Sequence, residues 1–415
     1  MKWFTTCGAV LCAALAAPCG ALAAPLFTLT TIGEAGSAAL DINASGQLVG
    51  YQNTGADYHA FFYDGSTVSD LSPVVGGLSV AFRLNDSGTI VGNVYTPSAR
   101  RGFAYAAGAA LSLPPAMRQA NGINNAGTIV GSANVSADGG FLQATASTYS
   151  AYGGGVLTDL GTTPGGFGSY ASAINDAGHV AGTTVLEETG NIEEPFFYSN
   201  GVMQALGSLG GPYSHGWAIN NHDQVVGEMG SYVPGGPGGI YSYRAFLYEG
   251  GVVTDLGVLL EGGDSTAHDI NDQGQIVGET DTVLGRQAFL YVAGSMVLLD
   301  GLIDPALGWT VQEANGINEL GQIAGTACKA GLCYAVRLDL ASAVPEPAEA
   351  MLLAAGLLVI LLAQRARHRP VSGSTTLQGN VVNAVREWRT ALTDLVASQV
   401  CVKSSACTVD ARQMG

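Results

Sequence analysis

The stretch Asp41-Ile42-Asn43-Ala44-Ser45-Gly46-Gln47-Leu48-Val49-Gly50 recurs seven times, centred on Asn43, Asn85, Asn124, Asn175, Asn220, Asn271 and Asn318. A Gly stands seven residues after each Asn: Gly50, Gly92, Gly131, Gly182, Gly227, Gly278 and Gly325. A second Gly stands three after it in six copies, and the fifth has Asp223 there. Consecutive Asn residues are 39 to 51 positions apart. A period of that size marks a repeat architecture such as a solenoid or a propeller.

Each unit carries four strand candidates. One leads into the Asn (Ala39-Leu40-Asp41-Ile42) and one leaves it through Ile and Val (Thr89-Ile90-Val91). The Asn-x-x-Gly between them is hairpin chemistry: Asn tolerates left-handed backbone and bonds its own main chain, and Gly accepts positive φ. The third strand is aromatic, as in Ala60-Phe61-Phe62-Tyr63, Pro195-Phe196-Phe197-Tyr198 and Ala245-Phe246-Leu247-Tyr248. The third unit is weak here, with Phe141-Leu142-Gln143 in that place. The fourth strand reads Thr158-Asp159-Leu160-Gly161 or Thr254-Asp255-Leu256-Gly257. Four short strands per unit make a propeller blade.

The ends sharpen the reading. Phe27-Thr28-Leu29-Thr30-Thr31-Ile32-Gly33 looks like a fourth strand that arrives before the first Asn turn. The last unit stops after its third strand, Cys333-Tyr334-Ala335-Val336-Arg337-Leu338. The sequence therefore predicts an all-β, seven-bladed β-propeller over residues 24–343, closed by the N-terminal strand, which protects sheet edges. The alternative is an open β-solenoid or linear array, which needs capping repeats.

Residues 1–23 read as a signal peptide with an N-terminal signal helix: Lys2, an apolar core over 10–17, and the cleavage site Ala21-Leu22-Ala23. Near the C-terminus, Val344-Pro345-Glu346-Pro347 precedes an apolar run at 351–363, then Arg365, Arg367, His368 and Arg369. That run predicts a short membrane helix, below the roughly 20 residues of a full span. The basic cluster obeys the positive-inside tendency. These three parts, over 344–369, resemble the PEP-CTERM sorting signal. The resemblance implies an exported protein of a Gram-negative bacterium that makes exopolysaccharide. It further implies transient inner-membrane anchoring, signal peptidase and exosortase as processing partners, and delivery to the cell surface or matrix. Such signals usually end at the basic cluster, whereas here a tail over 370–415 follows, with helix-compatible spacing at 381–400.

The repeat itself resembles the HAF family of extracellular repeats. His59-Ala60-Phe61 is the name-giving tripeptide, Arg244-Ala245-Phe246 and Gln287-Ala288-Phe289 are variants, and Ile-Asn-x-x-Gly-x-Ile-Val-Gly is the shared core. The resemblance implies an exported repeat protein and brings no activity with it.

Between residues 24 and 347 there are 29 acidic and 8 basic side chains, a net of −21. A field of that sign keeps an exported protein soluble and repels nucleic acid, which is excluded as a partner. Cys328 and Cys333 flank four residues of a tight hairpin and predict a disulfide in an oxidising compartment.

Chemistry is sparse. Asp41-x-Asn43-x-Ser45-Gly46 matches the start of a calcium loop, but Gln52 stands where the closing Glu belongs. No metal or cofactor is expected. His59, His179, His215, His222 and His268 are scattered and read as solvated loop residues, although His215 and His222 flank Trp217 and Asn220. Glu187, Glu188, Glu193 and Glu194 read as an acidic loop, with paired carboxylates the one glycosidase-like feature. Tyr63, Tyr105, Tyr198, Tyr248 and Tyr291 read as blade packing rather than sugar platforms. The expected function is a non-enzymatic binding or scaffold module, for exopolysaccharide or surface proteins, important to biofilm. The alternative is a propeller-fold glycan hydrolase or lyase.

Overall fold

The computed structural model describes residues 26–341, apart from 56, 98, 137–141, 151–154, 187–191, 208–210 and 234–239. The signal peptide, the sorting signal (Val344, Pro345, Glu346, Pro347, Arg365, Arg367 and Arg369), the membrane helix and the tail lie outside the described residues, as do Glu187 and Glu188.

Seven antiparallel four-stranded sheets form a β-propeller. Six blades each use four consecutive strands, innermost first: 37–70, 79–111, 117–161, 168–205, 214–257 and 265–298. The seventh combines Thr310–Ile317, Ile323–Lys329 and Leu332–Leu340 with Phe27–Ile32, with Phe27 opposite Leu340 and Ile32 opposite Ala335. Helix is confined, among the described residues, to Ser72–Val75 and two 3-10 turns, Leu299–Gly301 and Pro305–Leu307.

The recurring Gly residues are forced. A Cβ on Gly50, Gly92, Gly131, Gly182, Gly227, Gly278 or Gly325 would run into a carbonyl oxygen of the adjacent innermost strand. The left-handed position of each Asn turn belongs to the second Gly (Gly46, φ 74°), or to Asp223 (φ 61°) in blade 5. The Asn residues themselves are not left-handed, which corrects one half of their expected role.

Their side chains fulfil the other half, bonding their own turn, and add a role between blades that the sequence reading missed. Each Asn Oδ1 accepts from the backbone N–H four residues on, tightening its own turn. Each Nδ2 donates to the carbonyl of the next blade's Asn, from Asn43 to Asn85 and onward to Asn318, which returns to Asn43 at 2.9 Å. Seven buried amides thus form one closed hydrogen-bonded ring. A parallel set runs outside it. The backbone N–H of residue 44 meets Asp86, that of Asp86 meets Asn125, and so on to Glu319; the set stops there because Ala44 has no acceptor.

Ser residues opening the innermost strands stitch neighbouring blades. Ser79, Ser169 and Ser265 accept from Ala60, Ala146 and Ala245 N–H of the preceding blade, and Ser37 accepts from Ala335. Pro195 holds the matching place in blade 4 and has no N–H, so Ser214 bonds Gly230 within its own blade.

The core lies between blades. Val49, Ala60 and Leu71 of blade 1 pack on Ala81, Ile90 and Phe103 of blade 2. Phe27 and Leu338 join the cluster between blades 6 and 7. Phe61, Phe196, Phe246 and Phe289 are fully buried, each worth roughly 1.5–3 kcal/mol of transfer free energy. In blade 3 the equivalent residues are Ser147 and Tyr149, opposite Gly131 and Ile129, rather than the expected 141–143. Tyr63 and Tyr248 are buried, while Tyr105, Tyr198 and Tyr291 are half-buried.

Candidate functional site

Every innermost strand carries a β-bulge three residues before its Asn, where the pairing register skips one residue. The skipped residues are Leu40, Phe82, Asn121, Ser172, Trp217, His268 and Asn315. A bulge leaves its residue unpaired and re-aims its side chain. All seven line one cavity of about 730 Å³ at the axis of the ring, a volume in the range of small-ligand sites. The residue before each bulge is Ala in six copies and Gly216 in the other, so the frame is nearly invariant while the lining differs blade by blade.

Hydrogen bonds fix several bulge residues. Asn121 Nδ2 donates to Ala171 O at 2.9 Å and Asn315 Nδ2 to Ala39 O at 2.9 Å. His268 Nδ1 meets Ala314 O at 3.3 Å, and burial lowers the affinity of this imidazole for a second proton. Trp217 stacks on His215 with ring centroids 5.2 Å apart.

His215 is the centre of the charged wall. It contacts Glu193 Oε2 at 2.7 Å through Nε2 and Glu228 Oε1 at 2.9 Å through Nδ1. Two carboxylate partners require both nitrogens to donate, so the ring is an imidazolium. Burial opposes that charge, but the bonds to Glu193 and Glu228 prevail and raise its pKa to about 9. Burial likewise pushes Glu228 up, yet His215 and Thr266, whose Oγ1 donates to Oε2 at 2.7 Å, hold it below the usual carboxylate range. In blade 6, Arg286 donates to Glu279 Oε1 at 2.8 Å. Burial, aided by the charges of Glu313 and Glu228 and resisted by Arg286, pushes Glu279 up to about 7. Glu279 Oε2 and Trp217 Nε1 are buried without a hydrogen-bond partner among the described residues. Nearer the Asn turns, Arg83 lies 3.9 Å from Asp41, and burial raises both Asp41 and Asp269.

Several expectations need correction. His59, His215 and His268 sit on strands rather than loops, and His179 lies in the turn before Val180–Val185 with its Nδ1 2.7 Å from Asp223. His222, near Asp272 at 3.9 Å, is largely exposed at the Asn-turn end, so Trp217 shares a site with His215 and not with His222. Glu193 and Glu194 open the strand Glu193–Ser199 instead of forming a loop, and Glu193 converges on Glu228 through His215. Cys328 and Cys333 stand opposite each other and are bonded. No group of three or more His, Cys, Asp or Glu able to hold a metal ion occurs among the described residues. The bulge ring was missed. Its signal, a position that takes six different residues in seven copies beside one that is Ala in six, becomes visible only when the copies are aligned in register.

No protein-family model matches the chain, and no curated protein matches it. Among solved structures it is similar to the β-propeller domain of the Trilobed protease from Pyrococcus furiosus, 11% identical over 64% of this chain and 84% of that one, TM-score 0.45. It is also similar to a Dyadobacter fermentans protein of unknown function, 11% identical over 75% and 98% of the two chains, TM-score 0.34. A Trypanosoma rangeli sialidase is 11% identical over 85% of this chain and 60% of that one, TM-score 0.33.

Proposed function

We propose that the chain is an exported, exosortase-sorted surface or matrix protein. Its propeller acts as a non-catalytic binding and scaffold module, taking exopolysaccharide or a surface protein at the axial cavity. The carrying observation is the bulge ring: seven blades repeat a nearly uniform frame and differ at the residues that face the cavity. Aromatic Phe82, Tyr170 and Trp217 beside Asn121, Ser172 and Asn315 give the mixed lining that suits a sugar, whose faces are apolar and edges polar. The two ends of the sequence support the address. The strand Phe27–Ile32 is read as the latch that holds the ring closed.

The test is retention of glycans by the full chain purified in mild detergent. Binding that Trp217→Ala abolishes supports the reading, and no retention of any polysaccharide or surface protein contradicts it. A second reading, glycan hydrolysis, is favoured by one observation. Glu193 lines the cavity with His215 Nε2 at 2.7 Å, a carboxylate and an imidazole within reach of a bound sugar. Turnover of a polysaccharide panel, lost in Glu193→Gln, distinguishes it.

A further inference from the structure

We infer that the wall of the cavity built by blades 4 and 5 is a subsite for the ammonium group of an amino sugar. This rests on the reading of the cavity as a saccharide site and deepens it.

Glu193 carries hydrogen-bonding capacity that the fold leaves unused. Glu193 lines the cavity and is one-quarter exposed. Its Oε2 bonds His215, and its Oε1 has no hydrogen-bond partner among the described residues. Glu228 is less available, because His215 and Thr266 each bond one of its oxygens and it lies outside the cavity lining. His215 has none either, since both ring nitrogens are engaged. One imidazolium between two carboxylates leaves the trio with a net charge of −1, and Glu193 is the carboxylate of the three that lines the cavity.

Trp217 and Tyr170 line the cavity with Glu193. A primary ammonium brings three N–H donors and a positive charge to the free carboxylate oxygen. The sugar ring that carries it brings C–H faces to the aromatic side chains, and aromatic rings also attract the cation itself. The local field agrees. The Tyr243 hydroxyl is raised first by burial and then by the charges of Glu228, Asp264, Tyr213 and Glu193, so negative potential extends along this wall.

Other sugars fit worse. An N-acetylated sugar brings an amide in place of the charge. A uronic acid sets its carboxylate against Glu193 and is left with Arg83 and Arg100, which also line the cavity. Arg83 is already committed to Leu40 O and Asp41, and Arg100 lies over the Tyr95 ring at 5.1 Å.

The experiment is calorimetric titration of the full chain in detergent with three hexamers: glucosamine, N-acetylglucosamine and a uronic acid. The glucosamine hexamer is expected to bind at least about tenfold more tightly than either other, as a charge-assisted hydrogen bond allows. Glu193→Gln is expected to remove that preference, and Arg101→Gln, an exposed site outside the cavity lining, to keep it within about twofold. Equal or tighter binding of the N-acetylated or uronic hexamer, or loss of glucosamine binding in Arg101→Gln, overturns the inference. An unchanged preference in a folded Glu193→Gln overturns it too. Trp217-dependent binding of all three without preference sinks the ammonium subsite and leaves the saccharide site standing. No binding of any hexamer sinks both.

Discussion

Asn318 donates a hydrogen bond to the carbonyl of Asn43 at 2.9 Å across 275 residues of sequence. This contact joins the last blade to the first and completes the seven-membered amide ring. The other six links span 3.0 to 3.2 Å, so the amide ring crosses this boundary as it crosses the rest, although the outer set of bonds stops here. Asn318→Ala removes that bond, the two its Oδ1 accepts within the turn and the one its Nδ2 donates to Gln322 Oε1, and leaves a buried carbonyl short of a donor. A loss of about 2–4 kcal/mol is expected, from roughly 1–3 kcal/mol per unsatisfied buried group plus the turn bonds. Urea unfolding measures it. Asn125→Ala, in the exposed outer set, is expected to cost about 0.5 kcal/mol.

The close approach behind Gly182 makes a second expectation. A Cβ there meets both the Tyr170 carbonyl and the Phe196 ring. Gly182→Ala is expected to cost about 3 kcal/mol or more, because backbone as well as side chain must move. Gly301→Ala has open space and is expected to change stability by under about 0.5 kcal/mol. Thermal denaturation of the two variants side by side gives the comparison.

Stability should fall as pH rises, in two windows. Glu279 moves from 4.5 to about 7 on folding, so its contribution is fully present below pH 4.5 and is lost as pH climbs to 7. Buried Asp41 and Asp269 act in the same direction. His215 moves from 6.5 to about 9, so its contribution is present below pH 6.5 and is lost through pH 9. Glu279→Gln is expected to shrink the first window by up to about 3 kcal/mol and leave the second intact. Below pH 4 the trend reverses, as Glu228 and Asp70, held below their usual range, take up protons. Urea midpoints at pH 5, 7 and 9 read the slope; a flat profile contradicts the assignment.

Much of this architecture is legible in the sequence, because a propeller repeats its constraints. The Gly residues mark where backbones nearly touch, the aromatic strands mark the inter-blade core, and Phe27 to Ile32 has strand alternation without a partner nearby in sequence. The site was less legible, for a physical reason. A bulge is a register event between two strands, and Trp217, Phe82 and Leu40 look like ordinary alternating strand residues until the pairing is known. Histidines were misread because their partners are remote: Glu193 lies 22 residues from His215, and Glu228 lies on the neighbouring strand. The Asn was understood within its turn and not across blades, since a side chain that serves both leaves the same residue in the sequence.

The bond between Cys328 and Cys333 closes a very short loop on a hairpin already held by strand pairing. The Cys328→Ser/Cys333→Ser double variant is expected to lose about 2 kcal/mol or less, the loop-closure value for so few residues. Denaturation with and without reductant should agree with the variant. A larger loss would assign the bond a wider role in the last blade.

The most direct test of the closed ring joins its two ends. Thr28 stands opposite Asp339 in the shared sheet, so a Thr28→Cys/Asp339→Cys chain should form an intramolecular disulfide in the folded state under mild oxidation. Peptide mapping should find this link within single chains, with the native Cys328–Cys333 bond retained. Absence of the link in folded protein, or its formation only between chains, would contradict a propeller latched by its first strand.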